Sequence, residues 1–295
     1  MSRTIAIAAA GEMGSAVGAA LVEAGYRVVA DLTGRSAQSR TLAARVGIED
    51  LGSLHAVVET AGIVLSILPP AAAAEFGEKI AAACSETGAR PLFADCNAVA
   101  PATVVEIAKP FAAIGAPFAD VGIVGPAPRE DRPPTRFYVA GPGRDALLAV
   151  AAPRLAMIDL GPEVGRASAM KMCYAALNKG FDALLTAVLL ASERLGVRRE
   201  LVDEIASSQP EASARTARRI PFLAATATRY APEMREIAAT FATAGITPEF
   251  HRGAEWIYTA LARTPLAAET RLTVPASRSL DEALAVFLAA LETPR

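Results

Sequence analysis

The chain has 295 residues, 53% of them hydrophobic and 20% charged, with a formal net charge of −2. That length holds two domains with a core each, and the composition excludes a disordered chain. A near-neutral charge without clusters of Lys and Arg among aromatics excludes electrostatic capture of nucleic acid. Three cysteines, Cys84, Cys96 and Cys173, and two histidines are too few for a disulfide framework or the usual zinc sites. A reducing, cytoplasmic setting without a metal is expected. No stretch reaches the roughly twenty uninterrupted apolar residues of a membrane span, so no membrane partner is expected. The apolar run at residues 5–10 leads straight into a glycine turn and a helical pattern, and reads as a buried strand, not as a signal peptide.

From residue 4 to about 160, short apolar runs alternate with helical stretches. The runs are 5–10, 27–32, 63–68, 92–95, 118–121 and 137–140. Strands alternating with helices imply a parallel sheet covered on both faces, because parallel neighbours need crossover connections. The expected fold is therefore α/β: an N-terminal doubly wound, Rossmann-type domain over residues 1–163. After Gly161 and Pro162 nearly every segment reads as helix, which predicts an all-α second domain over 164–295. Breaks are expected at Pro210, Pro221, Pro232, Pro248 and Pro265. Residues 167–195 hold no proline and one glycine, and predict a long helix ending before Gly196. Being apolar nearly all round, it should be buried in its own domain or against a second subunit; a homodimer is expected.

The first run is followed by Gly11, Glu12, Met13 and Gly14 and then a helix. In a dinucleotide fingerprint, glycines allow a tight turn, close approach of backbone to pyrophosphate, and close packing of helix on strand. The pyrophosphate would sit on amides at the helix start, where the dipole favours an anion. Ala9 stands where the first glycine of the fingerprint would be. Cofactor choice turns on the end of the second strand. Asp31 is placed to hold the ribose hydroxyls of NAD, whereas Arg35, Ser36 and Arg40 are placed to grip the 2′-phosphate of NADP. NADP is expected, with NAD as the alternative.

These residues resemble a known family. The glycine turn, Leu68 and Pro69 after the third run, Asp95, Cys96 and Asn97 followed by Pro101, residues 120–126, and Gly165 with Lys171 six positions on are similar, in order, to 3-hydroxyacid dehydrogenases and 6-phosphogluconate dehydrogenases. The likeness covers about the first 180 residues; the tail resembles a branch with a C-terminal domain of unknown function. The resemblance implies hydride transfer between nicotinamide C4 and a hydroxyl-bearing carbon of a small substrate, usually a hydroxy acid. It implies Lys171 as general acid/base, Leu68, Pro69 and Asn97 at the cofactor, and Asn97, Val124, Gly125, Tyr174 and Asn178 at the substrate. The chain departs from the family where Pro126 offers no amide, Val124 no hydroxyl, and Tyr174 and Ala175 stand in place of an asparagine. Asn178 is the residue that could stand in for that asparagine.

Without the family, Lys171 is still unusual, because it lies in a largely apolar helix. Positions 171, 174, 178 and 182 recur on one side of a 3.6-residue helix, so Lys171, Tyr174, Asn178 and Asp182 form a polar stripe opposite Cys173, Leu177, Gly180, Leu184 and Val188. Two other functions fit parts of the pattern: an imine reductase, which reduces C=N instead of C=O, and a dinucleotide-binding sensor without turnover. Lys171 argues against both, since imine reductases usually place another acid there and a sensor needs no buried ammonium.

Overall fold

The computed structural model describes residues 3–269 and 273–292. They pack as two compact units, residues 1–172 and 173–295, so the first unit runs past the boundary expected at residue 163 and takes in the start of the long helix.

The first unit is built on an eight-stranded sheet with strand order β3-β2-β1-β4-β5-β6-β7-β8. Strands β1 (Thr4–Ile7), β2 (Arg27–Ala30), β4 (Ile63–Ser66), β5 (Leu92–Asp95) and β6 (Phe118–Val124) coincide with five of the apolar runs, and β7 (Thr135–Ala140) with the sixth. Helices α1 (Glu12–Glu23), α2 (Ala37–Arg45), α3 (Leu54–Thr60), α4 (Ala73–Thr87) and α5 (Pro101–Ala113) connect them. Two strands were not foreseen: β3 (Glu49–Asp50), a two-residue exposed edge, and β8 (Leu155–Asp159), reached through α6 (Arg144–Leu148). The sheet is parallel except where β7 runs antiparallel to β6. The intervening loop holds Pro126, Pro128, Pro133 and Pro134, which rule out a crossover helix there. Successive side chains alternate between two cores: Ile5 and Ile7 of β1 face one layer, with Val17, Leu21 and Phe137, while Ala6 faces the other, with Phe76, Phe93 and Phe111.

Helix α7 (Arg166–Arg194) begins in the first unit and continues into the second. The helix is 29 residues long, and a stretch of 18 within it, at a mean hydropathy of 1.2, is apolar enough to cross a membrane. However, Met172, Leu185 and Leu189 are buried in the protein, and so is the charged Asp182. Gly196, at φ 71°, follows the end of the helix.

The second unit adds α8 (Arg198–Ser208), α9 (Pro210–Arg219), α10 (Ala224–Thr243), α11 (Glu249–Leu261) and α12 (Leu280–Glu292). Pro210 opens α9, Pro248 precedes α11, and Pro221 and Pro265 lie in short 3-10 turns. Pro232 is a correction, because α10 runs through it unbroken. A proline inside a helix costs about 3 kcal/mol, and α10 offsets that by burying Tyr230, Met234 and Ile237, with Tyr230 edge-on to Tyr258 of α11 at 5.4 Å. On the single chain the apolar side of α7 carries Leu177 and Leu184, which are exposed, as is Cys173.

Candidate active site

The order of the sheet reverses between β1 and β4, and the crevice at the carboxyl ends of these strands is where doubly wound sheets take ligands. At β1 the chain passes through Ala9 and Ala10 into α1, whose N-cap, Gly11, is extended at φ −73° and makes no side-chain cap. Ala9 therefore serves in the first position, since no residue of this turn needs a positive φ. Gly14 is the position that must be glycine: a Cβ there would lie 2.0 Å from the carbonyl oxygen of Ala9. Ser15, one residue on, donates its hydroxyl to the Gly11 carbonyl at 2.6 Å and tightens the turn. Glu12 is exposed and Met13 half-buried, so the acid does not point into the core.

At the end of β2 the Asp31 carboxylate folds onto its own turn and accepts the Thr33 amide at 2.9 Å. Arg35 reaches back across the sheet edge and donates to the Ala8 carbonyl at 3.0 Å, which brings its guanidinium beside the glycine turn. Ser36 caps α2 by accepting the Ser39 amide at 3.2 Å, and Arg40 is exposed one turn further on.

Between β4 and β5 lies a buried polar network. Asn97 is 2% exposed and its amide is fully engaged. Its Oδ1 accepts the Leu68 amide at 2.6 Å, and its Nδ2 donates to Ser66 Oγ at 2.9 Å and to Asp95 Oδ2 at 2.8 Å. The Asn97 main-chain N–H donates to Asp95 Oδ1 at 3.0 Å. Asn97 thus holds the loop at Leu68 and Pro69 in place, and does not present its amide outward to a substrate. Complete burial raises the Asp95 carboxyl to about 7, against the pull of the two Asn97 donors.

Lys171 comes to the far end of β6. Gly122 in that strand lets α7 lie directly against it, because a Cβ at 122 would fall 2.5 Å from the Ala167 carbonyl oxygen and 3.1 Å from Lys171 Cβ. Lys171 Nζ donates to the Ile123 carbonyl. Asp120, three residues before Ile123 in the same strand, caps the start of α7. Its Oδ2 accepts the amides of Gly165, Ala167 and Ser168 at 2.9, 3.0 and 3.1 Å, and its Oδ1 accepts Ser168 Oγ at 2.7 Å. Burial pushes the Asp120 carboxyl up, while these four donors draw it back down. A carboxylate at a helix N-terminus also meets the favourable end of the helix dipole. Beyond Lys171, Val124 is buried and Gly125 takes φ 118°, turning the chain away at Pro126, whose carbonyl accepts Thr135 Oγ1 at 2.7 Å.

The family defined by the NAD binding domain of 6-phosphogluconate dehydrogenase matches residues 4–155, just over half of the 295-residue chain. The chain belongs to that family. A domain of unknown function, DUF1932, matches residues 192–261 of this phosphogluconate dehydrogenase-like protein. None of the curated proteins matches it. Among solved structures, a conserved hypothetical protein from Sinorhizobium meliloti 1021 shares 23% identity at a TM-score of 0.65, over 98% of this chain and 97% of that one. A 3-hydroxyisobutyrate dehydrogenase from Mycobacterium tuberculosis, solved with L-serine, shares 20% at 0.64, over 99% and 100%. An imine reductase from Streptomyces aurantiacus shares 17% at 0.55, over 98% and 100%. At these identities the likeness is one of fold: a dinucleotide-binding, 3-hydroxyacid dehydrogenase-like architecture shared with imine reductases.

In the second unit of this family member, Tyr174 is exposed on α7, and Asn178 Nδ2 donates to the Tyr174 carbonyl at 3.1 Å. The last member of the polar stripe, Asp182, is fully buried and bound by two guanidiniums: Arg215 Nε at 2.6 Å and Arg219 at 2.8 Å, both from α9. That pairing assigns Asp182 to holding α9 on α7. Sequence reasoning did not single out Ser66, Gly122 or Ser168, and it took Asp95 and Asp120 only as parts of a family pattern.

Proposed function

We propose that this chain is an NADP-dependent oxidoreductase of the 3-hydroxyacid dehydrogenase type. It interconverts a hydroxyl and a carbonyl group on a small, hydroxy-acid-like substrate, with Lys171 as general acid/base. The nicotinamide cofactor, when bound, would supply the hydride from C4 as NADPH or receive it there as NADP+. The residues present fit that cofactor: Gly14 leaves no side chain between α1 and the Ala9 carbonyl, α1 starts without a side-chain cap, and Arg35 stands beside the turn. In the direction of reduction, Lys171 would release a proton to the carbonyl oxygen and become a neutral amine; in oxidation it would take that proton back. The observation that carries the reading is the placement of Lys171 on a rigid seat at the carboxyl end of the sheet, made by Gly122 and the Ile123 carbonyl, with the helix start pinned by Asp120. A general base held by packed elements keeps its geometry through turnover.

The test is a screen following NADPH absorbance with hydroxy acids, aldehydes, ketoacids and cyclic imines. Turnover on a hydroxy acid or its ketoacid is expected. Turnover on imines alone would replace the CH–OH assignment with imine reduction, and NADPH binding without turnover on any class would favour a sensor.

We further propose that the working form is a homodimer in a reducing, cytoplasmic setting, joined through the second unit. A groove of about 600 Å³ runs between α7 and α11, lined by the small residues Gly180 and Gly253 and by large apolar ones. Leu177 is 70% exposed, Leu184 58%, Phe250 78% and Trp256 47%. A surface holding both knobs and holes is what a two-fold interface requires, since each copy must fill the other. A standard interface covers about 800 Å² per partner, and Phe250 and Trp256 would contribute the still-exposed share of the roughly 150–250 Å² that an aromatic side chain buries.

A further inference from the structure

The side chain of Asp95 has no place in the proton transfer assigned to Lys171, yet it is a carboxylate 1% exposed at the carboxyl end of a central strand. Its neighbours across the sheet are Ser66 on β4 and Asp120 on β6. Its two oxygens both face donors on Asn97: the main-chain N–H at Oδ1 and the amide Nδ2 at Oδ2. Asn97 in turn accepts the Leu68 amide. Pro69 and Pro70 have no N–H, so Leu68 is the last main-chain donor of this loop before the 3-10 turn at Pro70–Ala72. The loop follows β4, the strand that flanks the reversal of the sheet, and so borders the crevice where the cofactor is placed.

We propose that Asp95 is a positioning residue: its ionised carboxylate orients Asn97, Asn97 holds the Leu68 loop against the cofactor crevice, and protonation of Asp95 releases that loop and weakens NADPH binding. This rests on the dinucleotide site described above. The hydrogen bonds tie the charge of Asp95 to the loop. A proton on Oδ1 would meet the Asn97 main-chain N–H, which cannot turn away. A proton on Oδ2 would meet Nδ2, and turning the amide over to accept it would set NH₂ against the Leu68 N–H, donor facing donor. The ionised acid accepts from both partners with charge-assisted bonds, whereas the protonated acid offers one of them only a weaker, neutral hydroxyl oxygen.

Burial opposes that ionised state, and the balance falls in the working range, at about 7. The charged group facing Asp95 within the sheet is Asp120, which raises it further; the Cys96 thiol is pushed up by burial and stays neutral. Helices α4 and α5, which cover this face, turn Phe76, Ile80, Val104 and Phe111 inward, with the Cys84 thiol also kept protonated by burial. Their Glu75–Lys79 and Glu106–Lys109 pairs lie at the surface. From α7 the cation at this end of the sheet is Lys171, bonded to Ile123 of β6. Since the folded-state value lies above the ordinary carboxylate one, the contribution of Asp95 to stability is full in acid and is lost as pH rises through about 7. The effect on the cofactor runs the opposite way, and that opposition separates positioning from a merely structural role.

The experiment is NADPH titration by fluorescence from pH 6 to 8 on the full chain and on Asp95→Asn. The variant keeps the shape but has one acceptor oxygen for two donors, like the protonated acid. For wild type the dissociation constant should rise roughly 5–10-fold from pH 8 to pH 6, the ceiling being set by the ionised fraction of a group titrating near 7. The variant should bind with about the weak, acid-limb affinity of the wild type and lack this slope. Titration of the cofactor's own phosphate is common to both proteins and cancels in their ratio. Should Asp95→Asn fail to fold, Asn97→Ala cuts the same link and should likewise flatten the slope. Equal slopes in wild type and variant would overturn the proposal while leaving the NADPH site standing. Absence of NADPH binding at every pH would remove that site and the proposal with it.

Discussion

Residues 1–172 leave one large hydrophobic side chain well exposed among the described residues, Val105, whereas residues 173–295 leave eight, from Tyr174 and Leu177 on α7 to Phe250 and Trp256 on α11. Their buried charges differ as well. In the first unit Asp95 and Asp120 accept from amides, a hydroxyl and an asparagine. In the second, Asp182 is matched by Arg215 and Arg219, and Glu233 by Lys179. A carboxylate balanced by neutral dipoles remains sensitive to its surroundings, while one locked to guanidiniums is a fastener. The first unit is thus finished as a surface and poised as a site. The second is fastened inside and unfinished outside.

The largest effect that would break this contrast comes from the seat of α7. Gly122→Val places a side chain where the Ala167 carbonyl lies 2.5 Å from the Cβ position, so α7 must shift from β6 and carry Lys171 with it. Turnover should fall about 10²-fold, the usual cost of an ångström of misplacement, while NADPH affinity, set at the other end of the strand row, changes little. Calorimetry beside steady-state kinetics separates the two, and normal turnover would mean that the Gly122 contact is packing alone.

Next in size is cofactor choice. Arg35→Ala removes a charge-assisted contact worth roughly 1.5–3 kcal/mol, so NADPH should bind about 10–10²-fold more weakly with NADH affected far less. Loss of affinity for both cofactors alike would show that Arg35 only braces the glycine turn through Ala8. The smallest effect on activity belongs to the unfinished surface. Leu177→Glu sets a charge on the rim of the α7–α11 groove and should yield monomers in sedimentation at micromolar concentration where wild type is dimeric, with a helical circular dichroism spectrum like that of wild type. A wild type that is monomeric at all concentrations would leave the groove for another ligand.

Much of the first unit was legible because parallel strands buried on both faces read as unbroken apolar runs, and because Gly11 and Gly14 follow one directly. The edge strand β3 was not, being two charged residues long, and β8 was missed because half-buried residues blur its pattern. Lys171 stood out as a charge in an apolar helix. Its support did not: Asp120 lies 45 residues from Gly165, and nothing local marks a strand aspartate as the cap of a distant helix. Gly122 reads as one more small residue in a strand until α7 is seen against it. Periodicity identified the polar stripe of α7 but could not tell which of its members lies at the carboxyl end of the sheet and which fastens α9. The apolar side at Leu177 and Leu184 was legible as apolar, but whether its cover comes from the chain or from a second copy depends on contacts far away in sequence.

The central claim is that Lys171 exchanges a proton with the substrate oxygen, and Lys171→Arg tests it most directly. Arginine keeps the positive charge but does not give up its proton near neutral pH. Single-turnover kinetics on a substrate that wild type reduces should show the Lys171→Arg rate down by about 10²–10⁴, as for Lys171→Met, the usual worth of a positioned general acid/base. NADPH affinity should stay within a few-fold of wild type in both variants. A Lys171→Arg protein with near-normal turnover would contradict the account, and would make this lysine a fixed charge that orients an anionic substrate while the proton travels by another route.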